Sequence, residues 1–310
     1  MNKSSLPQSV GLVTQPVPPV QVVQSGQPAM APATKIRMSF SQLTTLRWSL
    51  LEELLQLRTS RYDAIGLWRP KIAEVGEKVA AGLIRDAGLS VSSLSFAGGF
   101  TGTGGLSYED AVIDARDAIV DAETLGAENL ILVSGARNGH TVRHSRRLLT
   151  DALTDLADFA GARGVRLCVL PMHQYFARTW TYLNTLNETL ELLSTVNHPG
   201  VGLAFDTYHL WQEPGLVDRI PEFAATTGIV QISDAHRVPQ STAERCIPGD
   251  GSIPLEEIVR AFQGAGFEGY YDVQVWSRSG WSGDYPVTAS RCRQAVLRIA
   301  GSGREGCVKK

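Results

Sequence analysis

"SYEDAVIDARDAIVDAETLGAENLILVSG", residues 107–135, sets the fold. Its first two thirds carry apolar residues at helical spacing, with Ala111, Ile113, Ala118, Ile119 and Leu125 recurring on one side. Ser107, with Asp110 three residues on, has the form of a helix N-cap. Leu125-Gly126-Ala127 has the form of a C-terminal glycine stop. Directly after it, "ENLILVSG" (128–135) is a short apolar run of the kind that makes a buried strand.

The same alternation runs through the chain. Strand candidates are "IRMSFSQ" (36–42), "YDAIGLW" (62–68), "LSVSSLSF" (89–96), "ENLILVSG" (128–135), "VRLCVLP" (165–171), "VGLAFDT" (201–207), "GIVQISD" (228–234) and "YYDVQVW" (270–276). Helical spacing fills the stretches between them, and "AGARG" (160–164) closes a second helix as a glycine stop does. Eight strand–helix units in about 275 residues match a (β/α)8 TIM barrel in size and count. A doubly wound α/β sheet would carry a Gly-rich phosphate turn after its first strand, and "SFSQLTTLRW" has none. The expectation is one barrel domain over residues 35–310. Residues 1–34, rich in Pro, Gln, Val and Ala with almost no charge, are expected to be disordered. Met30 or Met38 would serve as an alternative start, and prolines and glutamines interrupt every candidate for a signal-peptide core.

Composition narrows the function. A formal charge of -2 and a pI of about 6.3 give no electrostatic case for nucleic acid or an anionic membrane. No run of apolar residues is long enough to span a bilayer. Cys168, Cys246, Cys292 and Cys307 are scattered without a CxxC pair, which reads as free thiols in a reducing, cytoplasmic compartment.

In a barrel the chemistry sits at the C-terminal ends of the strands. "FDTYHLW" places Asp206 at the end of strand six and His209 three residues on, a pair able to bind a divalent metal or orient a sugar hydroxyl. The alternative is an Asp that caps the next helix and a His packed between Trp211 and Tyr208. "IVQISDA" puts Gln231 and Ser233 on one face of strand seven, with Asp234 at its lip. "VQVW" places Gln274 late in strand eight, facing inward above Asp272. Arg245, in "ERCIPGDG", is able to reach a phosphate, carboxylate or hydroxyl, or to lie solvated. "FAGGFTGTGG" (96–105) lacks the Gly-Lys-Ser/Thr ending of a P-loop and reads as a mobile loop or lid. "RHSRR" (143–147) reads as a solvated face; His140 and His144, near the end of strand four, are weak candidates to touch a ligand, and His198, before Pro199-Gly200, is a turn residue. "VRLCVLPMH" ends strand five on Leu170, which can neither bind a metal nor move a proton.

Taken together, "TTLRWSLLE", "YDAIGLWRPKI", "GLAFDTYHLW", "VQISDAHR", "RCIPGDGSIPL" and "GFEGYYDVQVW" resemble, in order, segments of the sugar phosphate isomerase/epimerase family, the xylose isomerase-like TIM barrels. The resemblance runs from about Arg37 to about Ala300. It implies a small sugar, polyol or keto-sugar ligand. It also implies a Mn²⁺, Mg²⁺, Co²⁺ or Zn²⁺ site held by a Glu, an Asp, a His or Gln and a second Glu on strands five to eight, and two-glutamate proton chemistry around an enediolate.

Carried over residue by residue, Asp206 and Gln231 take the strand-six and strand-seven metal positions. His209 matches a substrate-contacting residue and His173 the His of the Glu-Pro-Leu/Met-His run, so these two are the candidate catalytic groups. Arg245, Trp68, Asp234 and Gln274 are the candidate substrate contacts. Leu170 and Gln274 stand where the two glutamates belong. A dication would then keep one carboxylate, so the metal is expected to be weak or absent unless His173 or Glu213 moves in.

Three functions remain open: an isomerase or epimerase with rearranged chemistry; a catalytically silent barrel that binds a sugar or serves as a partner subunit of an active paralogue; and a damaged-DNA endonuclease. The last needs a multi-metal cluster and a basic groove that six histidines and no basic excess do not supply. The resemblance is also compatible with a homo-oligomer.

Overall fold

The computed structural model describes Met1 and residues 36–241, 243–278 and 283–301. The expected disordered segment, residues 1–34, lies outside them save Met1, as does Cys307. Eight parallel strands close into a barrel in chain order, each hydrogen-bonded to its sequence neighbours and the eighth to the first. They are β1 (Arg37–Ser41), β2 (Ala64–Trp68), β3 (Ser90–Gly98), β4 (Ala127–Val133), β5 (Arg166–Val169), β6 (Val201–Asp206), β7 (Thr227–Ile232) and β8 (Tyr270–Val273). All eight expected strands are present. The last is shorter than expected, so Gln274 lies one residue beyond β8 and not within it.

The outer layer comprises α1 (Leu50–Thr59), α2 (Arg69–Ala73), α3 (Glu77–Asp86), α4 (Tyr108–Leu125), α5 (Val142–Gly161) and α6 (Leu186–Val196). It continues with α7 (Thr207–Leu210), α8 (Leu216–Phe223), α9 (Leu255–Gly264) and α10 (Tyr285–Gly301). Ser107 caps α4 in a full capping box with Asp110, and Gly126 ends it in the left-handed conformation at φ 71°. The buried side of α4 is Ala111, Ala115, Ala118, Ile119, Ala122 and Leu125. Ile113 is 58% exposed and belongs to the opposite side, because two residues on a helix turn through about 200°. Four alanines on the inner face let α4 approach β3 and β4 closely. The second glycine stop also forms: α5 ends at Gly161 within 160–164, and Gly164 takes the positive φ, 70°.

Two buried features fix the barrel below its mouth. At the lower end Cys168 Sγ donates to Asn129 Oδ1 at 3.2 Å. A Cβ at Gly228 would stand 2.4 Å from that sulfur and 2.5 Å from that oxygen, so only glycine fits there. Higher up, Ser39, Asp272, Gln231 and Asp206 fall in one register across β1, β8, β7 and β6. This band of polar residues directly underlies the C-terminal mouth. The first half of the loop read as a lid is anchored: Phe100 and Thr101 are buried, and Thr101 Oγ1 donates to the Ala136 carbonyl.

Candidate functional site

The mouth is built around Arg245, which is only 4% exposed. Its long βα-loop is folded back by Asp234. That carboxylate accepts from the backbone N–H of Ala235 (2.8 Å), Ile253 (3.0 Å) and Gly249 (2.9 Å). A Cβ at Gly251 would come within 2.3 Å of Asp234 Oδ1, so the loop needs glycine there. The Asp234 and Cys246 backbones pair antiparallel, and the Arg245 N–H donates to the Trp276 carbonyl. Clamped from both sides, Arg245 points into the barrel.

Its guanidinium meets Asp206, at the end of β6. Nη1 lies 2.9 Å from each carboxylate oxygen but hydrogen-bonds Oδ1, leaving Oδ2 in ion contact without a hydrogen bond of its own. Nη1 also reaches Ser233 Oγ at 3.2 Å, and the guanidinium stacks over Tyr208 with its carbon 4.5 Å from the ring centre. Asp206 caps α7 by accepting from Tyr208 N–H at 2.8 Å. Burial pushes the Asp206 carboxyl up from its ordinary value, and Arg245 pulls it back down.

Arg245 Nη2 is 3.2 Å from His209 Nε2. A guanidinium only donates, so Nε2 is the acceptor and the imidazole proton sits on Nδ1. Burial first, and Arg245 second, hold the His209 ring well below the usual imidazole range, so it is neutral at pH 7. Its Nδ1 and Arg245 Nε are buried donors without a hydrogen-bond partner among the described residues. His209 packs edge-on against Phe176 and Tyr208, at centroid distances of 5.0 and 5.3 Å.

Across the mouth, Gln231 Nε2 donates to Gln274 Oε1 at 2.9 Å, so the strand-seven and strand-eight positions are bonded to each other. Arg245, His209 and Gln274 are the polar part of a narrow cavity with enclosed room for little more than one water molecule. Leu170 and Met172, with the rings of Phe96, Phe176, Trp180 and Trp276, form the rest.

The structure thus brings together Asp206, His209, Gln231, Arg245 and Gln274. It sets three candidates apart. Asp234 has its carboxylate engaged by the loop backbone. Trp68, the last residue of β2, lines a neighbouring cavity that shares Phe96 and Trp180 with this one. His173 caps a short 3-10 turn, Nδ1 accepting from Tyr175 N–H at 3.3 Å, and burial lowers its pKa. Glu213 accepts from Leu186 N–H at 2.8 Å and stays in its loop. Sequence reasoning did not find the aromatic wall. Phe96 comes from β3, Phe176 and Trp180 from the segment after β5, and Trp276 from the segment after β8, with no shared spacing to reveal them.

Among the described residues no three His, Cys, Asp or Glu side chains converge as a metal shell would. None of the helices there is long and apolar enough to cross a membrane.

A curated relative, the inosose isomerase of Bacillus subtilis strain 168, is 22% identical over 174 residues, 54% of this chain; that stretch spans 61% of the Bacillus protein. A crystal structure of a protein from Sinorhizobium meliloti 1021 superposes with a TM-score of 0.79 at 27% identity, covering 85% of this chain and 98% of that one. The IOLI protein, crystallised with a bound zinc atom, superposes at 0.76 and 19% identity, covering 86% and 99%. Residues 57–295 match the xylose isomerase-like TIM barrel family, and with the closed eight-stranded barrel those residues build, the chain belongs to that family.

Proposed function

We propose that this isomerase/epimerase-type barrel binds a small sugar, polyol or keto compound at its mouth without the divalent-metal, two-glutamate chemistry that the sequence resemblance implies. One observation carries the proposal: the Arg245 guanidinium occupies the carboxylate that a metal would need. A hard dication requires several oxygen donors and net negative charge. Here Leu170 offers no donor, Gln231 and Gln274 offer only neutral amide oxygens (Gln274 Oε1 already accepts from Gln231 Nε2, while Gln231 Oε1 is unpartnered among the described residues), and the Asp206 charge is balanced by Arg245. The donor set does not fit a dication.

The same geometry sets what the site is able to do. Among the described residues no carboxylate lines the cavity, and the acceptor nitrogen of His209 is taken by Arg245, so neither kind of group is placed there to remove a proton from carbon. Arg245 is placed to polarise a ligand oxygen, and His209 Nδ1–H to donate to one. Binding and polarisation are therefore retained where two-base proton transfer is not.

Metal content of the purified protein tests this, measured beside a Leu170→Glu/Gln274→Glu variant that restores both carboxylates. The parent is expected to carry less than a tenth of an equivalent and the variant to gain metal. A stoichiometric metal in the parent would overturn the proposal.

A further inference from the structure

We infer that the ligand of this mouth presents a carboxylate to Arg245 and a compact apolar body to the aromatic wall: a small hydroxy or oxo acid rather than a neutral sugar. This rests on the proposal above for the location of the site, and narrows the ligand class.

The inventory of polar atoms points that way. Among the described residues Arg245 brings the one formal charge on the cavity lining, since His209 is neutral and Asp206 stands behind the guanidinium. Arg245 Nε and His209 Nδ1, buried on that lining, have no hydrogen-bond partner among the described residues, and each is a donor. Donors without acceptors select a ligand that brings acceptors, and a carboxylate brings two oxygens in the planar geometry a guanidinium matches. Buried groups of this kind are costly when unmet, so they discriminate strongly against ligands that cannot meet them.

The rest of the lining argues against a polyhydroxyl body. Leu170, Met172, Phe96, Phe176, Trp180 and Trp276 offer rings and methyl groups, and Gln274 is already bonded to Gln231. A free sugar would desolvate several hydroxyls against these walls without replacing their hydrogen bonds. An apolar body forfeits no hydrogen bonds there and gains burial once the walls part to admit it, since the enclosed room is little more than one water's. Leu170 fits the same scheme: an aliphatic side chain on the lining sets no negative charge against an acid.

Calorimetry with phenylpyruvate, its neutral counterpart phenylacetone, and fructose separates the cases. Phenylpyruvate is expected to bind at least about tenfold more tightly than either neutral probe, and more weakly as salt is raised. Because Arg245→Met alone strands Asp206, the paired Asp206→Asn/Arg245→Met variant removes both charges, and a melting curve confirms that it is folded. That variant is expected to lose the preference for the acid. Fructose binding as tightly as phenylpyruvate, equal affinity for phenylacetone, unchanged acid preference in the folded double variant, or no binding of phenylpyruvate at millimolar concentration would each overturn the inference. Fructose bound with the acid excluded overturns this inference and leaves the sugar proposal standing; a metal-loaded parent overturns that proposal by a separate readout.

Discussion

Two buried ion pairs sit on opposite sides of the barrel mouth, and they are finished differently. Glu53 of α1 and Lys71 of α2 are 1% and 6% exposed. Both Glu53 oxygens are used: Oε1 by Lys71 and by Thr45 Oγ1, Oε2 by Gln42 Nε2 at 2.6 Å. Lys71 also reaches the Thr45 carbonyl, and Gln42 Oε1 accepts from Trp68 N–H. Every polar atom in that chain of contacts is committed, and none of its side chains lines the cavity. Asp206–Arg245 is equally buried but leaves Asp206 Oδ2, Arg245 Nε and His209 Nδ1 without hydrogen bonds. A closed network of this kind joins secondary elements; an open one beside a cavity holds capacity for a ligand. Burial of charge alone does not distinguish scaffold from site, whereas satisfaction does.

The largest expected effect falls on the closed pair. Lys71→Ala leaves Glu53 buried and unpaired, and should cost roughly 3–5 kcal/mol of unfolding free energy by urea titration. A Glu53→Leu/Lys71→Met variant should recover most of it. Neither should alter which ligands the folded protein prefers. A shift in ligand preference would mean that the two networks are coupled and the contrast between them is false.

A third buried carboxyl has no cation beside it among the described residues. Asp272 lies below Gln274, 1% exposed, with Oδ1 unpartnered among the described residues. Burial, opposed by a hydrogen bond with Ser39 and reinforced by the charge of Asp206, pushes its pKa up from 3.8 to about 7. Between those values the unfolded chain has released this proton and the folded chain still holds it. Stability should therefore fall as pH rises from about 4 to about 7, by at most about 4 kcal/mol from this group. Asp272→Asn should flatten that part of the stability profile. An unchanged slope would show that Asp272 ionises normally in the fold.

The barrel was legible because its signals are local. Each strand is a short apolar run, and Ser107, Asp110 and Gly126 mark the ends of α4 within the sequence itself. The error at Ile113 arose from counting apolar residues without holding them to one side of the helix. Asp206, His209 and Arg245 were legible as chemistry, since each falls at or after a strand end. Their arrangement was not: that Arg245 folds onto Asp206 depends on the Asp234 carboxylate shaping a loop some ten residues on either side. The aromatic wall and the Glu53–Lys71 network were invisible for the same reason. Both are assembled across loops by contacts that leave no periodic trace.

The central claim is that Arg245 is the resident cation of this mouth. Calorimetric titration of chelator-treated protein with Zn²⁺ and Mn²⁺ tests it most directly. The account predicts no micromolar binding by the parent, because Asp206 is already neutralised and its neighbours are amides. One equivalent bound at micromolar affinity, lost in Asp206→Asn, would contradict it.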